Sequence, residues 1–272
     1  MSKELKLRAN AKLNLSLKVL GRRADGYHDI ETDMQSISIH DVITLKPVEG
    51  KIAVECGQPG VPENEDNLAF KAAKLYLEAV GAKKEGIIIN INKNIPVAAG
   101  LGGGSADAAA VLYGMNLIHG SKLHKDALQG LAEKLGSDVP FCLIGGTARC
   151  TGRGEKVKKI NPETGNTFLL VMPDINVSSK EIYEGFDKLN KKDASSKNDL
   201  EQVTFMQYDK VKQLRDRLVA ETNAKWMMSG SGPVLFAEFG DLAEIDEMVA
   251  RVSKYTKFSV AMRMNEGVSV ME

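Results

Sequence analysis

Long apolar runs are missing from this chain: no stretch of its 272 residues approaches the ~20 needed to cross a bilayer. The first ten residues, Met1 to Asn10, also turn polar where a signal peptide would carry its apolar segment. Both features lead us to expect a cytoplasmic protein with no membrane partner. Cysteine is scarce. Cys56, Cys142 and Cys150 are an odd number without CxxC spacing, which argues against a disulfide framework or a zinc site and leaves three packed thiols. The four histidines, His28, His40, His119 and His124, show no HExxH arrangement, so a histidine-built metal site is not expected. Net charge is missing too, since 36 Lys and Arg balance 36 Asp and Glu. That balance removes any global pull toward nucleic acid or an anionic membrane. An anion site, if there is one, must be local.

What is present reads as an ordinary globular α/β protein, 43% apolar and 26% charged, long enough for two packed domains. Apolar side chains at Ala11, Leu13, Leu15, Leu17 and Val19 alternate with Lys12, Asn14, Ser16 and Lys18. This period of two predicts a half-buried strand with Lys12 and Asn14 on one face. Met34–Ile39 and Val42–Leu45 continue it as a β meander. Helical spacing follows over Asn67–Val80, with Asp66 or Asn67 as the cap and Gly81 as the stop. Ile87–Ile91 is a β-branched strand, after which Pro96 and the glycines up to Ser105 are expected to hold no regular structure. A helix is predicted from Ala106 to His119, another over Leu123–Leu135, and a turn at Ser137–Pro140 that opens a new element. Farther on come a loop at Gly152–Gly154, a strand at Phe168–Met172, a surface loop at Lys191–Lys197, a helix near Val211–Val219 and a hairpin within Trp226–Phe239. The texture changes near 150–165, and we place the domain boundary at 155/156.

The segment Pro96–Ser105 carries four glycines, Gly100, Gly102, Gly103 and Gly104, just ahead of a helix. Peptide units without side chains can turn their N–H groups onto an anion there, with the helix dipole behind them, so phosphate is the natural guest. No lysine follows the glycines, which excludes a P-loop, and Ser105 stands where a dinucleotide fingerprint needs its third glycine. A tight packing turn is the competing explanation, although four glycines cost conformational entropy that packing alone does not return. Asp138 could cap the element that follows it, and Lys12 could be a solvated strand lysine. Taken together, they also suit phosphoryl transfer, which needs a carboxylate to accept a hydroxyl proton and a cation to steady developing charge.

Ala9–Leu15, Gly26–His28, Pro96–Ser105, Gly136–Phe141 and Ser229–Gly232 resemble, in this order, the motifs of the GHMP kinases. The likeness is strongest to the branch that phosphorylates the 2-hydroxyl of a cytidine-diphosphate-linked methylerythritol in the non-mevalonate isoprenoid pathway. It spans Asn10 to Gly232. The resemblance implies an α+β fold of two domains, 1–155 with a left-handed βαβ unit that binds ATP and 156–272 as the C-terminal domain, with the site in the cleft between them. It implies Lys12 and Asp138 as the catalytic pair. Pro96, Ala99, Gly100, Leu101, Gly102, Gly103, Gly104 and Ser105 would hold the ATP phosphates, and Asn67, Leu68 and Lys93 would lie near adenine and ribose. Asn14 would touch the substrate, Tyr27 would stack on cytosine and His28 would read its edge. Tyr183 would form the second wall, with Ser179 beside it. Mg²⁺ is expected with the nucleotide on chemical grounds, with its protein ligands unassigned and Ser105 a candidate. A monomer or weak homodimer is expected. Two other functions remain open from the residues: a GHMP kinase for mevalonate, homoserine or a sugar, and a nucleotide-binding regulator without turnover.

Overall fold

The computed structural model describes residues 4–162, 167–189, 193, 195–240, 242–254 and 256–271. The first half runs β1 (Leu5–Asn14), β2 (Lys18–Arg22), β3 (His28–Glu49), β4 (Ile52–Glu55), α1 (Leu68–Ala79), β5 (Glu85–Asn92), α2 (Gly103–Ile118), α3 (Lys125–Leu135) and α4 (Val139–Ile144). Then follow β6 (Thr147–Gly152), β7 (Lys156–Lys159), β8 (Thr167–Met172), α5 (Ser179–Asp187), α6 (Glu201–Gln207) and α7 (Asp209–Thr222). The chain closes with β9 (Met227–Met228), β10 (Leu235–Phe239), α8 (Ala243–Val252), β11 (Lys257–Met262) and β12 (Val268–Val270). Among the described residues the strands form two sheets. The larger has the path β12-β1-β3-β5-β4, with β2 and β6 also on β3 and β7 on β6, and the smaller has the order β11-β8-β10-β9.

The long strand β3 organises the larger sheet. Its far half, Val42–Glu49, pairs with β5, and its near half, Ile30–Gln35, pairs with β6. Between the halves the ladder to β1 slips at Asn10/Ala11, where Asn10 faces His40 and Ala11 faces Ile37. Such an irregularity bends the strand and re-aims its side chains. Leu7, Ala9, Ala11 and Leu13 of β1 are all fully buried against α2 and its neighbours. β4 and β5 are parallel, and α1 makes the crossover between them.

The alternation over Ala11–Val19 does not make one strand. β1 ends at Asn14 because Leu17, although in phase, packs in a different cluster with Val177, Ile182 and Phe186 and bridges to Asn198. A period of two marks which residues are buried but not which core receives them. A second difference is at the glycines: α2 starts at Gly103, so Gly103, Gly104 and Ser105 form its first turn. The N–H groups of this first turn bond to no carbonyl of the helix and are left for another partner. The Asn67 side chain caps α1 by accepting from Ala69 N at 2.8 Å. The expected boundary at 155/156 falls inside the β6–β7 hairpin, which keeps Lys156–Lys159 on the larger sheet. Part of the expected Lys191–Lys197 loop lies outside the described residues; Asp193 there accepts from Ser195 Oγ at 2.6 Å. No helix among the described residues is long and apolar enough to cross a membrane.

Candidate active site

A cleft of about 1030 Å³ opens between the glycine-rich loop, the near ends of β1 and β3, and α5. Its wall contains Lys12, Asn14, Tyr27, His28, Asn67, Leu68, Lys93, Pro96, Ala99 to Ser105, Asp138, Ser179 and Tyr183. The structure therefore brings every expected site residue to one cavity, although they come from β1, β3, α1, α2, α5 and the loops between.

The loop is held by close backbone approach. Gly100 sits at φ +76, and a Cβ there would meet Ser229 O at 2.8 Å and Gly232 O at 3.0 Å, both main-chain atoms. Leu101 O accepts from Lys12 N at 3.0 Å, so the loop is also tied to β1. Gly102, at φ +73, caps α2 and lies against the Lys12 stem, 3.0 Å from its Cγ to the position of an added Cβ. These ties leave the first N–H groups of α2 at the head of a 16-residue helix, with the helix dipole adding to their pull on an anion.

Beside the loop, the side chain of Asp138 makes no capping bond to α4. Its carboxylate instead lies 3.4 Å from Lys12 Nζ and is about one-third exposed, whereas Lys12 is nearly buried. The cap explanation for Asp138 is thus not what the fold uses. Lys12 Nζ donates to Asn14 Oδ1 at 2.6 Å, as their shared strand face requires. Asn14 is fixed in turn: its Nδ2 donates to Thr32 Oγ1 at 2.8 Å and its backbone N–H to Ser229 Oγ at 3.1 Å. A buried ammonium held by an amide oxygen and facing a part-exposed carboxylate is a preorganised charge pair.

Under the loop lies a group that sequence reasoning missed. Lys93, expected near adenine and ribose, holds Asp41 Oδ2 at 2.5 Å and Asp107 Oδ2 at 2.9 Å, and its Nζ would lie 3.0 Å from a Cβ on Gly103. Asp41 Oδ1 also accepts from Asn94 N and Ile95 N, which pins the segment leading into the loop. Burial pushes the Asp107 carboxyl up to about 8 against the pull of Lys93. Burial draws the Lys93 ammonium down, but Asp107 and Asp41 outweigh it and hold the group above its ordinary range. One aspartate within the alanine-rich start of α2 was a visible signal; Asp41, inside a long strand, gave none.

At the other end of the cleft, His28 and Tyr183 are stacked, with ring centroids 5.0 Å apart and planes at 22°. Tyr27 is more than half exposed, and the Arg153 guanidinium lies 5.1 Å from its ring centroid. Ser179 Oγ and Ser231 Oγ share a hydrogen bond of 2.7 Å. Burial pushes the Tyr183 hydroxyl and the Cys142 thiol well up, and Cys150 up to about 12, so these groups stay protonated near neutral pH. No cluster of three or more His, Cys, Asp or Glu suited to a metal is found among the described residues.

Comparison with known proteins matches residues 67–146 to the GHMP kinases N terminal domain and 179–257 to the GHMP kinases C terminal domain. A 4-diphosphocytidyl-2-C-methyl-D-erythritol kinase from Clostridium botulinum is 40% identical over 270 residues, covering 92% of this chain and 96% of the relative. One of the same description from Caldicellulosiruptor bescii is 37% identical, covering 97% and 99%. A crystal structure of 4-(cytidine 5'-diphospho)-2C-methyl-D-erythritol kinase superposes with a TM-score of 0.79 at 29% identity, covering 95% of this chain and 99% of that one. A homoserine kinase structure from Cytophaga hutchinsonii shares the fold at 20% identity, with a TM-score of 0.74 and 100% and 98% coverage.

Proposed function

The chain belongs to the GHMP kinases, among the 4-diphosphocytidyl-2-C-methyl-D-erythritol kinases, and on that premise we propose how its cleft carries out the transfer. It phosphorylates 4-diphosphocytidyl-2-C-methyl-D-erythritol at the expense of ATP. The triphosphate lies over Gly102–Ser105, with the N–H groups of the first turn of α2 on its oxygens. Asn67 and Leu68, at the start of α1, border the nucleoside. The 2-hydroxyl of the substrate stands beside Asp138. As its oxygen attacks the γ-phosphorus its proton passes to the Asp138 carboxylate, and the bond to the β-phosphate oxygen breaks to release ADP. Lys12 orients that carboxylate, and its ammonium faces the transferring group.

The observation that carries this reading is the uncapped Asp138 carboxylate, 3.4 Å from Lys12 Nζ and beside the glycine-rich loop. Magnesium fits the donors present. Mg²⁺ would be held mostly by phosphate oxygens and water and would need no dedicated protein cage, and Ser105, which lines the cleft at the loop, is the candidate protein donor. Bound with the nucleotide, such a metal would neutralise charge on the β- and γ-phosphates. Asn14, Tyr27, His28, Ser179 and Tyr183 hold the acceptor, with its cytidine toward the His28–Tyr183 end. A cytoplasmic setting suits the three free cysteines.

ADP release against a panel of acceptors tests the reading. The cytidine diphosphate substrate should be used, and mevalonate, homoserine and simple sugars should not. Release with one of those and none with the cytidine compound would refute it.

A further inference from the structure

His28 has one contact that the transfer does not use. Its Nε2 lies 2.7 Å from Asp187 Oδ1, and Arg22 Nη1 lies 3.4 Å from Asp187 Oδ2. A carboxylate only accepts, so Nε2 carries the proton and donates. In the neutral ring that leaves Nδ1 as a lone pair. Nδ1 has no hydrogen-bond partner among the described residues, and His28 lines the cleft. Tyr183 and Asp187 are four residues apart on α5, hence on one helix face. That single face sets both the plane of the imidazole, through the stack, and its tautomer, through the carboxylate.

Cytosine and uracil differ at position 4. Cytosine presents an amino group, a donor, where uracil presents a carbonyl oxygen, an acceptor. We infer that Asp187 is a specificity-determining positioning residue: by holding His28 as the Nε2–H tautomer, it makes Nδ1 an acceptor that takes the 4-amino group of cytosine and turns away the 4-carbonyl of uracil. The inference rests on the cytidine reading given above. Opposed lone pairs and an unpaired buried polar atom cost more than a missing contact does, which is why a polar site discriminates better than an apolar one. Arg22 supports the arrangement by occupying the second carboxylate oxygen, so that Oδ1 remains on His28. A mere latch between β3 and α5 would instead affect the fold and every substrate alike.

The test compares kcat and KM for the cytidine substrate and its uridine counterpart in wild type and Asp187→Asn, together with ¹⁵N NMR of the His28 ring in wild type. An asparagine can either donate to Nε2 or accept from it, so the tautomer is no longer fixed. The cytidine-to-uridine ratio of kcat/KM should fall about tenfold or more, through a higher KM for the cytidine compound, while KM for ATP holds. Asp187→Glu should recover part of the ratio. The wild-type spectrum should show a protonated Nε2 and an unprotonated Nδ1, a result that stands even if the variants fold poorly. An unchanged ratio, or a proton on Nδ1, overturns the inference. Wild type that uses neither pyrimidine compound overturns the cytidine reading on which it stands.

Discussion

Asp107 shows how one buried carboxyl sets a pH dependence. Its value in the fold, about 8, lies above the ordinary 3.8. Between those limits the folded chain holds a proton that the unfolded chain has lost. Stability therefore is greatest below about pH 4 as far as this group is concerned, and falls as pH rises toward 8. Asp107→Asn keeps an oxygen for Lys93 and removes the titration. The melting temperature of the variant should therefore gain on wild type steadily from pH 5 to pH 8. Parallel melting profiles across that range would contradict the assignment. The sequence made Lys12 and Asn14 legible as partners because a strand puts residues two apart on one face. It could not reveal that Lys93 bonds Asp41 and Asp107, since those partners lie 52 and 14 positions away.

The glycine-rich loop and α2 divide their glycines between two tasks. Gly100 gives way to the Ser229–Gly232 turn: it needs a left-handed backbone, and a Cβ would strike two carbonyls. Gly104 lies in the helical first turn with only Leu68 Cδ1, at 3.8 Å, near an added Cβ. Gly100→Ala should therefore cost ~2 kcal/mol or more of stability. Gly104→Ala should leave the melting temperature close to wild type and raise KM for ATP, because its methyl group enters space assigned to the phosphates. Thermal melts and ATP titrations of the two variants would separate the tasks, and a Gly104→Ala enzyme with unaltered ATP affinity would contradict the phosphate site. Legibility at this scale was uneven for a physical reason. Caps and stops act locally, so Asn67 and Gly81 marked α1 well, whereas the break after Asn14 depends on a core built from α5 and α6.

Over the whole molecule, the site exists because distant segments converge. The turn at Ser229–Gly232 reaches the loop from the smaller sheet, with Ser229 Oγ donating to Gly100 O at 3.3 Å. The C-terminal segment, about which the sequence motifs were silent, pairs β12 with β1. Asn10 N donates to Gly267 O at 2.8 Å, which locks the strand that carries Lys12. Motifs announced the chemistry of the cleft, while the scaffold that aligns it was hidden in long-range pairing. The most direct test of the account is kcat for the cytidine diphosphate substrate in Asp138→Asn, measured beside its ATP affinity. Turnover should fall ~10²–10⁴-fold with ATP affinity retained. Turnover equal to wild type would remove Asp138 as the acceptor of the hydroxyl proton and contradict the account.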